Sequence, residues 1–560
     1  MTDRILEIND LSVAVIKNKQ HNTLLNRLSF CVPENQVTGI AGESGSGKSL
    51  TALSIMRLCP PGIKITSGTI TLFHNDIITD LTSLTDKEMQ PLRGKKISMI
   101  FQEPMTSLNP SIKCGPQVTE VLKVHENLSS GIAREKLMHL FNEVKLPNPE
   151  RIAQSYPHQL SGGQRQRVMI AMALISNPLL LIADEPTTAL DVTVQKKILV
   201  LLNEIMESHS LSILFITHDL RLLKEFAHHI IIMRDGNIVE TGTSEEIFKS
   251  PSHPYTRGLI ACQPPLDSKP ARLVTIQDFE KGRKNSGVNE VKQKPDYSEP
   301  ILKINNLSVF FSTPGRLLVR SSGKITAINN IGLEVFQGET TGIAGESGCG
   351  KTSLGKAILD LLPETHGNIY YKGQNIKELK GKALKNYRKK VQVVFQDPYS
   401  SLNPVQTAGE IITEPMKVHL QHLSPAERRE RCIDLLVKVG ISPDSIEKYP
   451  HQFSGGQRQR IGIARSLALE PELIILDEAV SALDVSVQAQ ILNLLNDLKK
   501  EFSLTYIFIS HDLAVVKYMS DRIIIMKDGK IEETGEATEI YFNPRSSYTR
   551  MLIGSIPGTR

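Results

Sequence analysis

The feature that most constrains this 560-residue chain is an internal repeat. Five short segments of the first half recur in the second half, in the same order and at a nearly constant offset. The pairs are 39–49 with 342–352, 101–104 with 395–398, 156–167 with 449–460, 184–185 with 477–478, and 217–219 with 510–512. Five matched segments in register are not a chance event, so the chain is a tandem duplication.

The repeat also predicts the domain boundaries. We expect a first domain at 1–265, a linker at 266–299 and a second domain at 300–560, where the run Ile-Leu-Lys-Ile-Asn-Asn-Leu-Ser-Val echoes residues 5–13. The predicted linker is rich in Lys, Pro, Gly, Asn and Asp and shows little periodicity. A flexible segment of that size spans ~30 Å, which would allow the two domains to face each other.

Strand and helix patterns alternate in each half. Short β-branched runs end at glycine-rich or acidic turns, and 3–4-residue apolar spacing follows them. The predicted strands of the first half are Val37–Ala41, Leu179–Ala183, Ile213–Thr217 and Ile230–Met233. A helix is predicted to begin at Lys48, and helical inserts are predicted at 112–155 in the first half and 408–448 in the second. This alternation predicts an α/β fold with a mainly parallel core sheet.

Composition excludes several classes of protein. Hydrophobic residues make up 40% of the chain and charged residues 22%, as in ordinary globular proteins, and no apolar run approaches the ~20 residues that cross a bilayer. The six cysteines are far apart in the sequence, which favours a reducing compartment over a disulfide or metal framework. The formal charge of +5 on so long a chain neither demands a nucleic-acid partner nor excludes an anionic membrane surface.

The glycine-rich segments match the phosphate-binding P-loop. Glycines allow successive backbone N–H groups to turn inward around a phosphate, and the helix that follows favours anions at its N-terminus. In this pattern Lys48 and Lys351 reach the β- and γ-phosphates, while Ser49 and Thr352 ligate Mg²⁺. A glycine-rich turn without a ligand is the alternative, and two copies between a strand and a helix disfavour it.

Each half also carries an acidic pair directly after an apolar strand. Paired carboxylates at the end of a buried strand are costly unless they hold a metal or a water. Asp184 and Asp477 are therefore candidates for the surroundings of Mg²⁺, and Glu185 and Glu478 for polarising the attacking water. A solvated pair of strand-end acids is the alternative for either copy taken alone.

A Ser-Gly-Gly-Gln segment at 161–164 and 454–457 stands between the glycine loop and the acidic strand in both halves. Two adjacent glycines at a helix start predict a second anion-binding nest. This order of motifs resembles the ATP-binding cassette family. The segments 101–110 and 395–404 and the His-Pro-Tyr-Thr-Arg segment at 253–257 are similar to the branch that imports dipeptides, oligopeptides, nickel and glutathione.

The resemblance implies two tandem P-loop NTPase domains, each with a parallel-sheet core, an antiparallel β subdomain and a helical insert. It further implies that two ATP molecules are shared, each between the P-loop of one domain and the Ser-Gly-Gly-Gln segment of the other. Gln102 and Gln396 would sense Mg²⁺ and the water, and His218 and His511 would contact the γ-phosphate. Phe311 occupies the place of an aromatic residue that stacks on adenine.

The complete set of candidate site residues follows from these motifs and the resemblance. The expected ATP-binding residues are Gly42, Glu43, Ser44, Gly45, Ser46, Gly47, Lys48, Ser49, Gly345, Glu346, Ser347, Gly348, Cys349, Gly350, Lys351, Thr352, Ser161, Gly162, Gly163, Gln164, Ser454, Gly455, Gly456, Gln457 and Phe311. The expected catalytic residues are Glu185, Glu478, His218, His511, Gln102 and Gln396, and the expected Mg²⁺ site consists of Ser49, Thr352, Asp184, Asp477, Gln102 and Gln396.

Some positions depart from the pattern of the family. Val15 stands in the first half where Phe311 stands in the second, so we expect two competent but unequal sites. Cys349 is expected to be a small filler inside the second glycine loop, and with Cys262 alone after the His-Pro-Tyr segment no iron–sulfur cluster is expected. The pairs Arg165/Arg167 and Arg458/Arg460 are interpreted as solvated helix faces.

The function predicted from these features is an ATP-hydrolysing importer subunit for peptides or a similar small solute. It would lie on the cytoplasmic face of the inner membrane with two permease subunits docked on the helical inserts, and it would work with a solute-binding protein. The alternative is a soluble tandem cassette that acts on ribosomes or nucleic acid. Pro270, Gly282, Gly287 and Pro295 interrupt the long helical linker typical of that class. A small-molecule kinase is disfavoured, because it would leave the duplicated Ser-Gly-Gly-Gln segments without a role. The motifs do not reveal which solute an importer would carry.

Overall fold

The computed structural model describes residues 4–17, 20–101, 107–187, 190–281, 297–312, 324–363, 365–397, 399–481 and 483–558. Gln102, one of the candidate catalytic residues, lies outside these ranges. The chain forms two compact units. The first comprises 1–190, 194–260 and 276–283, and the second comprises 191–193, 261–275 and 284–560.

The first unit contains ten strands and eleven helices within the described ranges. The strands are β1 (Arg4–Lys17), β2 (Gln20–Pro33), β3 (Val37–Ala41), β4 (Ile63–His74), β5 (Ile77–Asp80), β6 (Ile97–Ile100), β7 (Leu180–Asp184), β8 (Ser212–Ile216), β9 (His229–Arg234) and β10 (Asn237–Thr243). The helices are α1 (Lys48–Ile55), α2 (Asp86–Met89), α3 (Cys114–Glu126), α4 (Ser130–Glu143), α5 (Pro149–Gln154), α6 (Gly162–Leu174), α7 (Val192–His209), α8 (Leu220–Phe226), α9 (Ser244–Lys249), α10 (Pro254–Ala261) and α11 (Ile276–Glu280).

The second unit repeats this arrangement. Its strands are β11 (Pro300–Ser312), β12 (Lys324–Phe336), β13 (Thr340–Ala344), β14 (Thr365–Tyr371), β15 (Gln374–Asn375), β16 (Val391–Val394), β17 (Leu473–Asp477), β18 (Thr505–Ile509), β19 (Arg522–Lys527) and β20 (Lys530–Glu536). Its helices are α12 (Lys351–Ile358), α13 (Gly381–Lys390), α14 (Ala408–His419), α15 (Pro425–Lys438), α16 (Gly455–Leu467), α17 (Val485–Phe502), α18 (Leu513–Met519), α19 (Ala537–Phe542) and α20 (Ser547–Gly554).

Each unit is built on two sheets. In the first unit an antiparallel sheet has the order β2-β1-β4-β5, and a six-stranded sheet has the order β10-β9-β3-β8-β7-β6. The second unit has the equivalent orders β12-β11-β14-β15 and β16-β17-β18-β13-β19-β20. In the six-stranded sheets β10 and β20 pair antiparallel with their neighbours, and the other pairs are parallel. The predicted α/β fold with a mainly parallel core and an antiparallel subdomain is therefore confirmed.

The central strands are apolar along their whole length because both faces of the sheet are covered. Every residue of β3, β7 and β8 is buried, as expected for parallel strands enclosed by helices. One apolar cluster joins the two sheets of the first unit and includes Leu6 of β1, Ile40 of β3, Ile55 of α1 and Ile182 of β7. This shared core fixes α1 against the sheet, and with it the loop that precedes α1.

The parallel arrangement determines where the candidate site forms. Because β3, β8 and β7 are neighbours and run in the same direction, their carboxyl ends meet at one edge of the sheet. The glycine loop follows β3, the histidine follows β8 and the acidic pair ends β7. The three motifs are thus adjacent in space although they are far apart in sequence, and β13, β18 and β17 repeat this in the second unit.

Residues 261–275 pack with the second unit and are called the docked segment here. Asn493 of α17 binds both backbone groups of one residue in this segment: its Oδ1 accepts from the Leu273 N–H at 2.9 Å, and its Nδ2 donates to the Leu273 carbonyl at 2.8 Å. Arg272 forms an ion pair with Asp497, and Leu273 is buried. The first part of the predicted linker is therefore ordered against helices, and the expectation of a flexible chain does not hold there.

None of the helices in the described ranges has both the length and the apolar composition that a bilayer crossing requires.

The docked segment gives a first testable prediction. Asn493→Ala removes the two hydrogen bonds that hold the backbone of Leu273 and should lower the free energy of opening the segment by ~1–3 kcal/mol. Hydrogen exchange of the Leu273 amide should accelerate by about one order of magnitude. Asn203→Ala, at a half-buried position on α7 of the first unit, serves as a control and should leave exchange at Leu273 unchanged. Equal exchange in the Asn493 variant and the wild type would contradict this account of the segment.

Candidate active site

A glycine loop joins β3 to α1 and has a shape that other residues cannot adopt. Gly42, Gly45 and Gly47 have φ angles of 155°, 80° and 101°. A Cβ atom on Gly42 would lie 2.2 Å from the Met233 carbonyl oxygen. The loop of the second unit repeats these values at Gly345, Gly348 and Gly350, with φ angles of 152°, 81° and 105°. The spacing of glycines in the sequence thus corresponds to a backbone requirement in both copies.

The P-loop lysines are almost fully buried and lie inside their loops. Lys48 Nζ donates to the carbonyl oxygens of Gly42 at 2.7 Å and Glu43 at 2.8 Å. Lys351 Nζ donates to Gly345 and Glu346 at the same distances. Each ammonium group is therefore fixed by backbone carbonyls at the N-terminus of a helix, where a phosphate would gain both the lysine charge and the helix dipole.

A hydroxyl group and a carboxylate meet beside each loop. Ser49 Oγ donates to Asp184 Oδ1 at 3.1 Å, and Thr352 Oγ1 donates to Asp477 Oδ1 at 3.2 Å. Burial raises the pKa of Asp184 to about 6, although the hydrogen bond from Ser49 opposes the shift, and burial also raises the pKa of Asp477. A nearby cation stabilises the charged form of a buried carboxylate whose pKa is raised in this way. Hydroxyl and carboxylate oxygens are suitable ligands for Mg²⁺.

The glutamates that follow have left-handed backbone. Glu185 has a φ of 49° and Glu478 a φ of 48°, a region that non-glycine residues seldom occupy outside turns and strained sites. Their N–H groups donate to Ile216 and Ile509 at 2.9 Å, so a hydrogen bond to the neighbouring strand fixes each turn. The spacing of residues contains no signal for this backbone conformation.

A histidine lies against each of these glutamates. His218 Nδ1 is 3.1 Å from Glu185 Oε1, and His511 Nδ1 is 3.5 Å from Glu478 Oε2. Burial acts to lower the pKa of His511, but the hydrogen bond and negative charge of Glu478 outweigh it, so the pKa is raised. The histidines are held in place because the next residue, Asp219 or Asp512, caps the following helix.

The structure brings one of the two candidate glutamines to its site. Gln396 Nε2 donates to Glu478 Oε2 at 2.6 Å, so Glu478 contacts both Gln396 and His511. The equivalent position Gln102 is outside the described residues. In the second unit the chain thus assembles a lysine, a hydroxyl–carboxylate pair, a glutamate, a histidine and a glutamine at one edge of the sheet.

The Ser-Gly-Gly-Gln segments begin α6 and α16. Ser161 Oγ accepts from the Gln164 N–H at 3.3 Å, and the Ser161 N–H donates to Gln164 Oε1 at 3.1 Å, which closes a capping box. Ser454 and Gln457 do the same. These bonds connect each segment to itself and not to the glycine loop of its own unit. A Cβ on Gly163 would lie 2.8 Å from Val194 Cγ1, so this glycine permits α7 to approach.

The interpretation of the basic pairs as solvated helix faces is wrong. Arg458 is 7% exposed and its Nε donates to the Pro450 carbonyl at 2.6 Å. Arg460 and Arg167 donate to Val439 and Val144, each at 2.7 Å. The guanidinium groups bind carbonyls at the ends of neighbouring segments, which one-dimensional periodicity on α6 and α16 cannot show.

Two further candidate ATP-binding residues of the second unit are Cys349 and Phe311. Cys349 is 5% exposed within its loop, which confirms the prediction of a small filler residue. Phe311 on β11 is 40% exposed.

Comparisons with known proteins agree with this geometry. The family described as "ABC transporter" matches residues 25–188 and 328–481, and the family "Oligopeptide/dipeptide transporter, C-terminal region" matches 239–286 and 533–560. The chain is 44% identical to the peptidoglycan transport ATP-binding protein YejF of Agrobacterium fabrum, over 99% of this chain and 96% of that protein.

Two further relatives are glutathione import ATP-binding proteins GsiA. The one from Pectobacterium atrosepticum is 43% identical over 99% of this chain and 90% of the relative, and the one from Escherichia coli K12 is 42% identical over 99% and 89%. A solved dimeric structure of the ATP-binding cassette MJ0796 with ADP and phosphate is 31% identical, with a TM-score of 0.38, over 42% of this chain and 98% of that chain. With the family matched in both halves and its motifs placed at equivalent sheet edges, the chain belongs to the ABC transporter family of ATP-binding proteins, as a tandem pair of cassettes.

Proposed function

We propose that this protein is the ATP-hydrolysing subunit of an importer that takes up peptides or a similar small solute, such as glutathione. The observation that carries the proposal is the duplicated arrangement of lysine, hydroxyl–carboxylate pair, glutamate and histidine at the carboxyl edge of each core sheet. The match to an oligopeptide and dipeptide transporter region in both halves supports the class of solute. The relatives support an importer and not a cassette that acts on ribosomes or nucleic acid.

In the proposed mechanism, the backbone amides of the glycine loop and its lysine bind the phosphates of ATP. Ser49 with Asp184, and Thr352 with Asp477, would hold Mg²⁺, which neutralises phosphate charge when bound. Glu185 and Glu478 orient the attacking water and accept its proton. The adjacent histidines hold the glutamates and contact the γ-phosphate.

The left-handed backbone at Glu185 and Glu478 favours this role. It sets the direction of each carboxylate without a contribution from the nucleotide, so the general base is positioned before ATP binds. Gln396, which donates to Glu478, would connect the state of the site to the segment 396–404.

We further propose that the subunit works peripherally on the cytoplasmic face of the inner membrane. Two permease subunits would dock near 102–110 and 396–404, and a solute-binding protein would deliver the cargo. Each ATP would lie between one glycine loop and the opposite Ser-Gly-Gly-Gln segment: Lys48 with 454–457, and Lys351 with 161–164. ATP binding would close this pairing and hydrolysis would reopen it.

The proposal predicts a cargo-dependent ATPase in the intact membrane complex. The chain should purify with integral membrane proteins, and its ATP turnover should rise when the solute-binding protein presents a peptide or glutathione. The variant Glu185→Gln/Glu478→Gln lacks both general bases and should lose ~10²–10⁴ in rate while it retains ATP. Undiminished turnover in this variant would refute the proposed bases, and purification without any membrane partner would refute the importer.

The pairing of loops and segments has its own test. The test starts from the Glu185→Gln/Glu478→Gln chain, which retains ATP. Adding Lys48→Ala and Ser454→Arg together should damage the same site and leave one ATP bound per chain. The combination of Lys48→Ala with Ser161→Arg should damage both sites and leave none. Counting bound ATP distinguishes the two cases. The opposite pattern would show that each half binds nucleotide with its own segment.

The stacking role of Phe311 predicts unequal affinities. Phe311→Val copies the first half and should weaken ATP binding at the second site by ~1–3 kcal/mol, because the base loses an aromatic face. Val15→Phe is the reciprocal variant and should tighten the first site. Titration with a fluorescent ATP analogue would measure both. Equal affinity of wild type and Phe311→Val would remove Phe311 from the site.

A further inference from the structure

In each unit one buried tyrosine contacts the glycine loop. Tyr255 of α10 is 1% exposed, and its hydroxyl oxygen accepts from the Glu43 N–H at 3.2 Å and lies 3.4 Å from Glu43 Oε2. Tyr548 of α20 makes the equivalent contacts with Glu346, at 3.3 and 3.4 Å. The contact is present in both copies of the repeat although the two residues before the tyrosine differ, His-Pro in the first half and Ser-Ser in the second.

The residue that each tyrosine contacts also holds the P-loop lysine. The N–H of Glu43 donates to the Tyr255 hydroxyl, and the carbonyl of Glu43 accepts from Lys48 Nζ at 2.8 Å. The second unit repeats this with Glu346 and Lys351. The tyrosine hydroxyl is therefore connected to the lysine ammonium through a single residue of the loop.

Each tyrosine is itself fixed by the edge of the core sheet. Glu240 on β10 accepts from the N–H groups of Ser252 at 2.6 Å and His253 at 3.1 Å, directly before α10. Glu533 on β20 accepts from the N–H groups of Arg545 at 2.8 Å and Ser546 at 3.1 Å, directly before α20. The start of each helix is thus tied to the strand at the edge of the sheet, which limits how far the tyrosine can move.

A cation covers each ring. The Arg234 guanidinium lies 4.9 Å from the ring centre of Tyr255, and Lys527 Nζ lies 4.8 Å from that of Tyr548. Burial raises the pKa of both phenols, so the hydroxyl groups stay protonated. A protonated hydroxyl can donate to the glutamate carboxylate while it accepts from the glutamate N–H.

We propose that Tyr255 and Tyr548 are positioning residues for ATP binding: each hydroxyl holds the loop residue Glu43 or Glu346 in the conformation that binds phosphate. This gives the oligopeptide and dipeptide transporter C-terminal region, matched at 239–286 and 533–560, a role in the nucleotide site of its own half. The inference rests on the proposed function, because it assumes that the loops bind ATP.

The test uses the full-length chain and the variant Tyr255→Phe/Tyr548→Phe, which keeps both rings and removes the two hydroxyl groups. The KM for ATP should rise about 2–10-fold, the equivalent of losing one ordinary hydrogen bond, while kcat changes less than 2-fold. The Glu43 and Glu346 amides should also exchange hydrogen faster, because their acceptor is gone.

Tyr506→Phe is the matched control. Tyr506 is fully buried in the same unit as Tyr548, and its hydroxyl donates to the Leu495 carbonyl at 3.0 Å, away from the loop. It should lose stability without any change in the KM for ATP. An unchanged KM in the double variant, or an equal rise in the control, would overturn the inference.

A separate variant distinguishes failure of the inference from failure of the proposed function. Lys48→Ala/Lys351→Ala should abolish ATP turnover if the loops are the nucleotide sites. Turnover that survives this change would reject the proposed sites. Abolished turnover together with an unchanged KM in the tyrosine variant would reject the role of the tyrosines alone.

Discussion

Parallel pairing of three neighbouring strands is the constraint on which the rest of each unit depends. Hydrogen bonds between β3, β8 and β7 align their carboxyl ends at one edge, and β13, β18 and β17 do the same in the second unit. The glycine loop, the histidine and the acidic pair are adjacent only because these strands are adjacent. A change of strand order would separate the groups even if every motif were kept.

Uncommon backbone conformations orient the groups that the sheet brings together. Glycines at large positive φ allow the loop to curve around an anion, and the left-handed turns at Glu185 and Glu478 aim a carboxylate into the same space. Hydrogen bonds to Ile216 and Ile509 on the neighbouring strands hold these turns. The stability of the apolar core therefore maintains backbone conformations that the glutamates would not adopt by themselves.

Motif spacing predicts the α/β core and most of the side chains that the structure brings together at the edge of each core sheet. The predicted strand Val37–Ala41 and the helix that starts at Lys48 are confirmed at those residues, and the strand predicted at Leu179–Ala183 is β7, shifted by one residue. Repetition made this possible, because two copies of each motif in one context leave little room for a chance match. The lysine, the acidic pair and the histidine were all identifiable from the positions at which strands end.

Features that arise from contacts between distant segments were not predictable. The basic pairs after the Ser-Gly-Gly-Gln segments bind carbonyls such as those of Pro450 and Val439, because the tertiary fold brings helix ends to them. Tyr255 belonged to a motif that resembled importers, but its contact with Glu43 depends on a helix that returns to the loop. Composition suggested that 266–299 would be flexible, and it could not show that Asn493 recognises the backbone of Leu273.

The docked segment has a consequence for dividing the protein into halves. A fragment that began at residue 300 would have the motifs of a complete cassette, yet the side chain of Asn493 would lose both of its backbone partners. The amide would lose the two bonds to Leu273, and the surface of α17 that Leu273 covers would become accessible to other molecules. The compact unit that contains the second cassette therefore includes residues upstream of its first strand, within sequence that a motif-based boundary assigns to the connection.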